Sequence, residues 1–309
     1  MKKLTQAAFR RATSFIETQG RSLEQQLLPY HFGSGSKEAV LAALVPYQNE
    51  DGGFGHGLEP DVRTPASSAV ATQQAFQILR TIGASSEEPI VRRAVEYLLK
   101  SYDAGRGVWP IVPPEVEDAP HAPWWTYVDM DKNLGGFLAN PRAALVGFLH
   151  DYAALVYPDF LAQVTASTLN CLETAPDKME MHDLLCYITL AETEHLSKIQ
   201  KERVQAKLRQ VTAHSVEMNP DNWGGYALLP LGVISAPDHF LAATIPNEAV
   251  QANLDLLIDS QQPDGAWAPS WNWAFVNEAA WQTAELGWKS QITLTNLKLL
   301  QAFGRIEEV

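Results

Sequence analysis

The fold is decided by the stretch QNEDGGFG, residues 48–55, and by its near copy QQPDGAW, residues 261–267. Each follows a segment with apolar residues at three- and four-residue spacing, which is the pattern of an amphipathic helix. Glycine adopts the left-handed conformation that ends a helix, and the Asp side chain can cap the turn. Weaker copies are DAGRGVW, residues 103–109, and NPDNWGGY, residues 219–226. A recurring helix stop predicts repeated helical hairpins that bury their faces against neighbours.

The rest of the chain shows the same helical spacing and no continuous β-branched run, so the predicted fold class is all-α. Several segments carry a proline in the first turn, where its missing N–H costs nothing. The predicted helices are Leu4–Gln19, Lys37–Gln48, Ala66–Ile82, Pro89–Tyr102, Pro141–Val156, Pro158–Thr174, Lys178–Glu192, Leu196–Glu217, a short one near Asp238–Thr244, Asn247–Gln262 and Ser290–Phe303.

The two clear motif copies resemble the repeat of squalene cyclases and protein prenyltransferases, the terpenoid cyclase superfamily. The resemblance implies an α/α toroid of about six helical hairpins, with residues 1–309 as a single domain. In that superfamily the motif Gln and aromatic residues tie outer helices together. It therefore implies a structural role for Gln48, Gln261 and Trp267. It specifies architecture more than activity, because one fold hosts many chemistries.

Charge and composition exclude several classes of partner. With 23 basic and 36 acidic residues the net charge is −13, which repels a phosphate backbone and an anionic membrane surface. The longest uncharged stretch, Trp223–Pro237, is too short and too broken to span a bilayer, and the N-terminus lacks the apolar run of a signal peptide. Two cysteines make no disulfide framework. We expect a cytoplasmic protein with no cofactor and no nucleic-acid partner.

Four connections between predicted helices are long, and long loops in a compact domain are usually functional. If helices alternate between an inner and an outer ring, these connections gather at one end of the toroid, over the N-termini of the inner helices. We therefore expect a central pocket for a small-molecule ligand at that end. The connections are residues 49–65, 103–140, 219–237 and 263–289.

The first of these connections supplies one set of candidate catalytic residues, His56, Glu59 and Asp61, with Arg63 as a ligand-binding residue. Two carboxyl groups with a nearby imidazole can act as a general acid and base. The alternative is that Asp61 and Arg63 form a salt bridge or a cap within the loop.

The second connection supplies Asp129 and Asp131 as candidate catalytic residues, with His121 and Tyr127 as candidate ligand contacts. The two acids are similar to the first two of the Asp-x-Asp-Asp proton donor in squalene-hopene-type cyclases, which implies proton donation by Asp131. Lys132 replaces the third acid, and a neighbouring acid helps to hold such a donor protonated. The alternative is chance recurrence in an acidic loop.

Four tryptophans in the long connections lie outside the helix stops. They are Trp124, Trp125, Trp271 and Trp273. Aromatic walls can stack on a sugar ring or stabilise a cation, so we predict that they bind the ligand. The alternative is that they plug the end of the toroid as a loop core.

A metal site is not predicted. The Asp-x-Cys zinc pair of protein prenyltransferases is missing, because Leu169 and Leu184 stand two residues before the cysteines. His182 and Cys186 lie one helical turn apart, but zinc needs one or two further ligands. Whether this pair binds a metal stays open.

Three functions fit these features. The resemblance implies a pocket enzyme acting on an isoprenoid or another small ligand. Paired carboxylates and tryptophans alternatively indicate a carbohydrate-active hydrolase or lyase, whose carboxyl groups would be about 5–5.5 Å apart for retention or about 6.5–9.5 Å for inversion. The third function is a non-catalytic binding module. The sequence leaves the reaction and the oligomeric state open.

Overall fold

The described part of the chain, residues 1–128 and 139–308 of a computed structural model, is built from α-helices. Within these ranges no β-strand occurs, only isolated β-bridges. The prediction of an all-α fold is confirmed. The helices are α1 Gln6–Gln19, α2 Ser22–Phe32, α3 Lys37–Leu44, α4 Ala69–Thr81, α5 Pro89–Ser101, α6 Arg142–Asp151, α7 Pro158–Thr174, α8 Met181–Glu192, α9 Lys198–Ser215, α10 Asn247–Asp259 and α11 Glu278–Ala302.

Local sequence explains where many of these helices begin. Proline occupies the first turn of α5 and α7, at Pro89 and Pro158, as predicted. Other helices start at a polar side chain that accepts a hydrogen bond from a backbone N–H of the first turn. These caps include Thr5, Ser36, Ser68 and Asn277.

Helix α2 was not predicted from the sequence. Pro29 lies inside it, where proline normally interrupts the hydrogen-bond ladder. The helix nevertheless forms because it buries Leu23, Leu27 and Leu28 in the core. Tertiary burial outweighs the local penalty of the proline.

The start of the last helix was also predicted wrongly. Helix α11 begins at Glu278 and not at Ser290, so Trp281 and Trp288 lie on a helix and not in a connection. The short helix expected near Asp238–Thr244 is only a single 3-10 turn, Ala242–Thr244.

The first motif ties its own turn to another helix. Gln48 Nε2 donates hydrogen bonds to the carbonyl oxygens of Gly52 and Ile90, both at 2.9 Å. Ile90 lies in the first turn of α5, whose backbone is thereby attached to the motif. Gly52 has a φ of +93°, and a Cβ there would collide with the carbonyl oxygen of Arg93 on α5. Both the conformation and the close approach require glycine.

The second motif repeats this arrangement on α1. Gln261 Nε2 donates to the carbonyl oxygens of Gly265, at 2.9 Å, and Ala8, at 3.0 Å. Gly265 also has a φ of +93°, and a Cβ there would lie 2.5 Å from the carbonyl oxygen of Arg11. The two copies are thus equivalent in geometry as well as in sequence.

The motif aromatics then join each turn to the helix that follows it. The Phe54 N–H donates to Thr72 Oγ1 on α4 at 3.1 Å, and the Trp267 N–H donates to Thr293 Oγ1 on α11 at 3.0 Å. Each motif therefore fixes two different helices around one turn.

The packing of the helices brings the two ends of the described chain together. Helix α1 packs against α2 and α11, and α2 also packs against α11. Beyond the helices, the Leu4 N–H donates to the Arg305 carbonyl oxygen at 2.7 Å. Further pairs are α4 with α6 and α6 with α8. The largest buried apolar cluster extends from Leu4 to Leu300. Across the described ranges, no helix has both the length and the apolar character needed to cross a membrane.

Candidate functional site

The candidate site is a cavity of about 240 Å³ to which all four long connections contribute. The first two turns of α4 and of α8 complete its wall. Its lining residues are Glu59, Asp61, Val70, Gln73, Gln74, Trp124, Trp125, Asn140, His182, Leu185, Cys186, Tyr226, Trp271 and Trp288. Residues from all four connections therefore meet around one cavity.

Backbone contacts between two connections hold the acidic segment in place. A tight turn is closed by the Val62 N–H, which donates to the Glu59 carbonyl oxygen at 3.0 Å. The Asp61 carbonyl oxygen accepts from the Ala122 N–H at 2.9 Å, and Val62 forms an antiparallel bridge with His121. The carboxyl groups of this turn are therefore presented to the cavity from a backbone fixed on both sides.

Asp61 is held by indole N–H groups. Trp273 Nε1 donates to Oδ1 at 2.7 Å, and Trp271 Nε1 donates to Oδ2 at 3.1 Å. Asp61 is only 2% exposed, and burial raises its pKa, while the N–H groups of Trp273, Trp288 and Trp271 act in the opposite direction. The Trp288 N–H lies near this carboxyl but forms no hydrogen bond of good geometry. The carboxyl thus has donors on both oxygens and a third donor close by.

Glu59 is the second buried carboxyl group, with 3% of its surface exposed. Burial, and next the charge of Asp61, raise its pKa from 4.5 to about 8. Hydrogen bonds from the Asp61 N–H and from Gln74 Nε2, together with the charge of Arg21, act in the opposite direction. At neutral pH Glu59 therefore holds its proton, which makes it a candidate proton donor.

A second proton-transfer group lies on the same cavity. His182 Nδ1 and Glu180 Oε1 are 2.8 Å apart, and His182 Nε2 and the Tyr226 hydroxyl are 3.0 Å apart. Burial alone would raise the pKa of Glu180, but its bonds to His182 lower it below the usual range. An ionised carboxylate thus orients an imidazole whose other nitrogen meets a phenol hydroxyl. This arrangement can accept a proton from a bound molecule.

The cysteine on the cavity is not suited to act as a nucleophile. Burial raises the pKa of the Cys186 thiol far above its usual range, and its Sγ lies 3.7 Å from Asn140 Oδ1. Only a thiolate is a strong nucleophile or metal ligand. Among residues 1–128 and 139–308, no group of three or more His, Cys, Asp or Glu side chains is arranged to hold a metal ion.

Several predicted site residues lie elsewhere. His56 is exposed, and its Nε2 lies 2.8 Å from Asn49 Oδ1 of the first motif. His121 Nδ1 is bonded to a backbone carbonyl at 2.8 Å. Trp273 is fully buried behind Asp61 and does not contact the cavity. Asp129 and Asp131 lie outside the described residues. The other two predicted residues that do not line the cavity are Arg63 and Tyr127.

Sequence reasoning missed other lining residues. Gln74 lies in the second turn of α4, two turns after the acidic connection, and its helical position was the available signal. Tyr226 belongs to the weak fourth motif copy, and Trp288 was placed in a loop. His182 was considered only as a metal ligand, because the sequence does not show that its imidazole is bonded to Glu180 and Tyr226.

Comparison with protein-family models found no match, and comparison with curated proteins found none either.

Proposed function

We propose that the protein is an enzyme that cleaves a C–O bond in a small hydroxylated substrate, of sugar type, by general acid–base catalysis in this cavity. The observation that carries the proposal is Glu59, a buried carboxyl group with a pKa of about 8, on a cavity that also holds the His182–Tyr226 pair. A neutral acid and an oriented base in one cavity are what bond cleavage with proton transfer needs.

The character of the cavity supports this substrate class. Seven of its lining residues carry a polar group that can bind hydroxyls, and four are tryptophans. Tryptophan faces with carboxyl and amide groups are typical of a sugar-binding surface. A cavity of about 240 Å³ is also smaller than the usual pocket for a drug-sized ligand, which favours a single ring over a long isoprenoid.

The proposed proton transfers balance without a cofactor. Glu59 gives its proton to the departing oxygen as the C–O bond breaks. In a hydrolase, His182 takes a proton from the attacking water as the new C–O bond forms. In a lyase, His182 through Tyr226 takes a proton from the carbon next to the leaving group, and a double bond forms. Asp61, fixed by Trp271 and Trp273, supplies negative charge beside the developing positive charge.

We also propose that the helices form the α/α toroid that the motif implies by its resemblance to terpenoid cyclases and prenyltransferases. The successive packing of α11 with α2, α4 with α6 and α6 with α8 supports an inner ring. The attachment of α5 by Gln48 and of α1 by Gln261 supports an outer one. The unpredicted helix α2 supports the alternation, since it separates α1 from α3.

The resemblance to terpenoid cyclases gives a second candidate function, that of an isoprenoid cyclase. Four tryptophans on the cavity could stabilise a carbocation, and Glu59 would then protonate an alkene. The polar half of the lining is the observation against it.

Ligand binding followed by turnover tests the proposal. Melting temperature is measured with neutral sugars, uronic acids and isoprenyl diphosphates, and each stabilising compound is then incubated with enzyme in ¹⁸O-labelled water. We expect a sugar-type compound to stabilise the protein and to be cleaved, with ¹⁸O in the product of a hydrolase and new ultraviolet absorbance for a lyase.

Matched variants complete the test. Glu59→Gln should bind the substrate and lose turnover, whereas His56→Ala should keep both, because the His56 imidazole contacts Asn49 away from the cavity. Stabilisation by isoprenoids alone would show that the substrate class is wrong. Sugar binding without any product would show a binding module.

A further inference from the structure

A second chamber lies beyond Gln74, which lines both cavities. It measures about 440 Å³ and is formed by α2, α4 and α11 with Ser235 and Arg21. None of its residues entered the site predicted from the sequence. Its charged or titratable lining residues are Arg21, Glu24, His31 and Lys298.

Of the three basic side chains in this chamber, Arg21 is paired with a carboxylate and His31 is uncharged. Arg21 pairs with Glu24 through two hydrogen bonds, of 2.8 and 2.5 Å, and also donates to the Leu58 carbonyl oxygen at 3.0 Å. Burial, and next the charge of Lys298, lower the pKa of His31 to about 4. At neutral pH His31 is therefore uncharged.

Lys298 is the remaining charge. Across the described ranges its ammonium group has neither an ion pair nor a hydrogen bond, and burial lowers its pKa. The polar groups that α4 adds to this lining are two amides and a hydroxyl, and α2 adds His31 and Glu24, which is paired with Arg21. A partly desolvated cation without a counter-charge is costly, and an anion from solution would remove that cost.

A neighbouring group indicates the rest of the ligand. The Gln291 Oε1 atom is buried on the same lining and accepts no hydrogen bond. Buried polar atoms are normally hydrogen-bonded, so a ligand that donates a hydrogen bond to this oxygen would be stabilised. Lys298 and Gln291 both belong to α11, about two turns apart, so one small molecule can contact both.

We propose that this chamber binds a small hydroxylated organic anion, whose carboxylate or phosphate contacts Lys298 and whose hydroxyl donates to Gln291. The proposal does not depend on catalysis in the first cavity. The two chambers have Gln74 in common, so a ligand in one would contact the wall of the other.

Calorimetric titration of the full chain at pH 7 tests this with gluconate, inorganic phosphate and, as a neutral match, sorbitol. We expect gluconate to bind more tightly than phosphate and sorbitol not to bind. Lys298→Met keeps the length of the side chain without its charge and should weaken gluconate by at least about tenfold, as loss of a charge-assisted contact does. Lys100→Met, at a side chain 74% exposed, is the matched control and should change nothing.

Gln291→Glu provides a second measurement if the first variant does not fold. It places a carboxylate on the lining of the chamber, about two turns from Lys298 on the same helix, with almost no change of shape, and should abolish gluconate binding by repulsion of the anion. Equal gluconate affinity in the wild type and either folded variant would overturn the proposal, as would absence of gluconate and phosphate binding in the wild type.

Discussion

Replacement of Glu59 by glutamine should change how stability depends on pH. The pKa of Glu59 rises from 4.5 to about 8 on folding, so between these values the folded protein holds a proton that the unfolded chain has lost. The contribution of this group to the free energy of unfolding is complete below pH 4.5 and is lost as pH rises through about 8. Glutamine is neutral at every pH and can accept the same hydrogen bond from Gln74.

The magnitude follows from the two pKa values. Each pKa unit corresponds to about 1.4 kcal/mol, so the full difference amounts to on the order of 5 kcal/mol. This is a ceiling, because Asp61 titrates beside Glu59 and takes up part of the effect. The free energy of unfolding of Glu59→Gln minus that of the wild type should therefore increase by up to about 1.4 kcal/mol per pH unit between pH 5 and 8.

Denaturant unfolding at pH 5, 6, 7 and 8 measures this difference without any substrate. Glu96→Gln is the control, because that side chain is 62% exposed and its removal should give a curve parallel to the wild type. If the Glu59→Gln curve is also parallel, Glu59 is ionised throughout the range. The assignment of Glu59 as the proton donor would then be refuted.

Three further predictions concern the contacts that hold the site. Gln261→Ala removes two hydrogen bonds to carbonyl oxygens and should cost about 1–3 kcal/mol of unfolding free energy, measured by denaturant unfolding. Gly265→Ala should lower the free energy of unfolding by more than about 2 kcal/mol, because φ is +93° and the new Cβ would lie 2.5 Å from a carbonyl oxygen. Gly83→Ala is the control and should cost less, because φ is +61° but no atom lies near the new Cβ. Trp273→Phe removes a donor to Asp61 and should cost about 1–3 kcal/mol, measured by denaturant unfolding, and raise the pKa of Asp61 further. Unchanged stability in any of these variants would contradict the role given to that contact.

The sequence was informative where one short motif determines geometry. The Gln, Gly and aromatic positions of residues 48–55 and 261–267 recur in the structure with the same hydrogen bonds and the same φ at Gly52 and Gly265. Such contacts are local or go to backbone atoms, so they depend little on which side chains surround them. The structural role inferred for Gln48 and Gln261 follows from this.

Long-range contacts limited the sequence analysis of the site. The clamp on Asp61 comes from tryptophans more than 200 residues away, and no local pattern indicates which indoles reach which carboxyl. Helix α2 was missed because the local effect of Pro29 predicts an interruption, whereas burial of its leucines decides the outcome. His56 and Glu59 are three residues apart in the same loop, yet His56 is exposed and Glu59 is buried. A single sequence does not show which of two such neighbours is buried.

The two motif copies explain why the site forms where it does. The Phe54 N–H is bonded to Thr72 on α4, so the chain between these two residues forms a loop whose ends are held together. Asp61 lies in that loop. The Trp267 N–H is bonded to Thr293 on α11, so the chain between these residues forms an equivalent closed loop. This loop contains Trp271 and Trp273. The carboxyl group of Asp61 in the first loop accepts hydrogen bonds from the indoles of Trp271 and Trp273 in the second loop. The residues that stabilise the fold thus close two loops of fixed span, and the contact between those loops creates the buried, pKa-shifted acidic turn. A change in either motif should therefore alter the pH dependence assigned to Glu59, even though neither motif contacts the cavity.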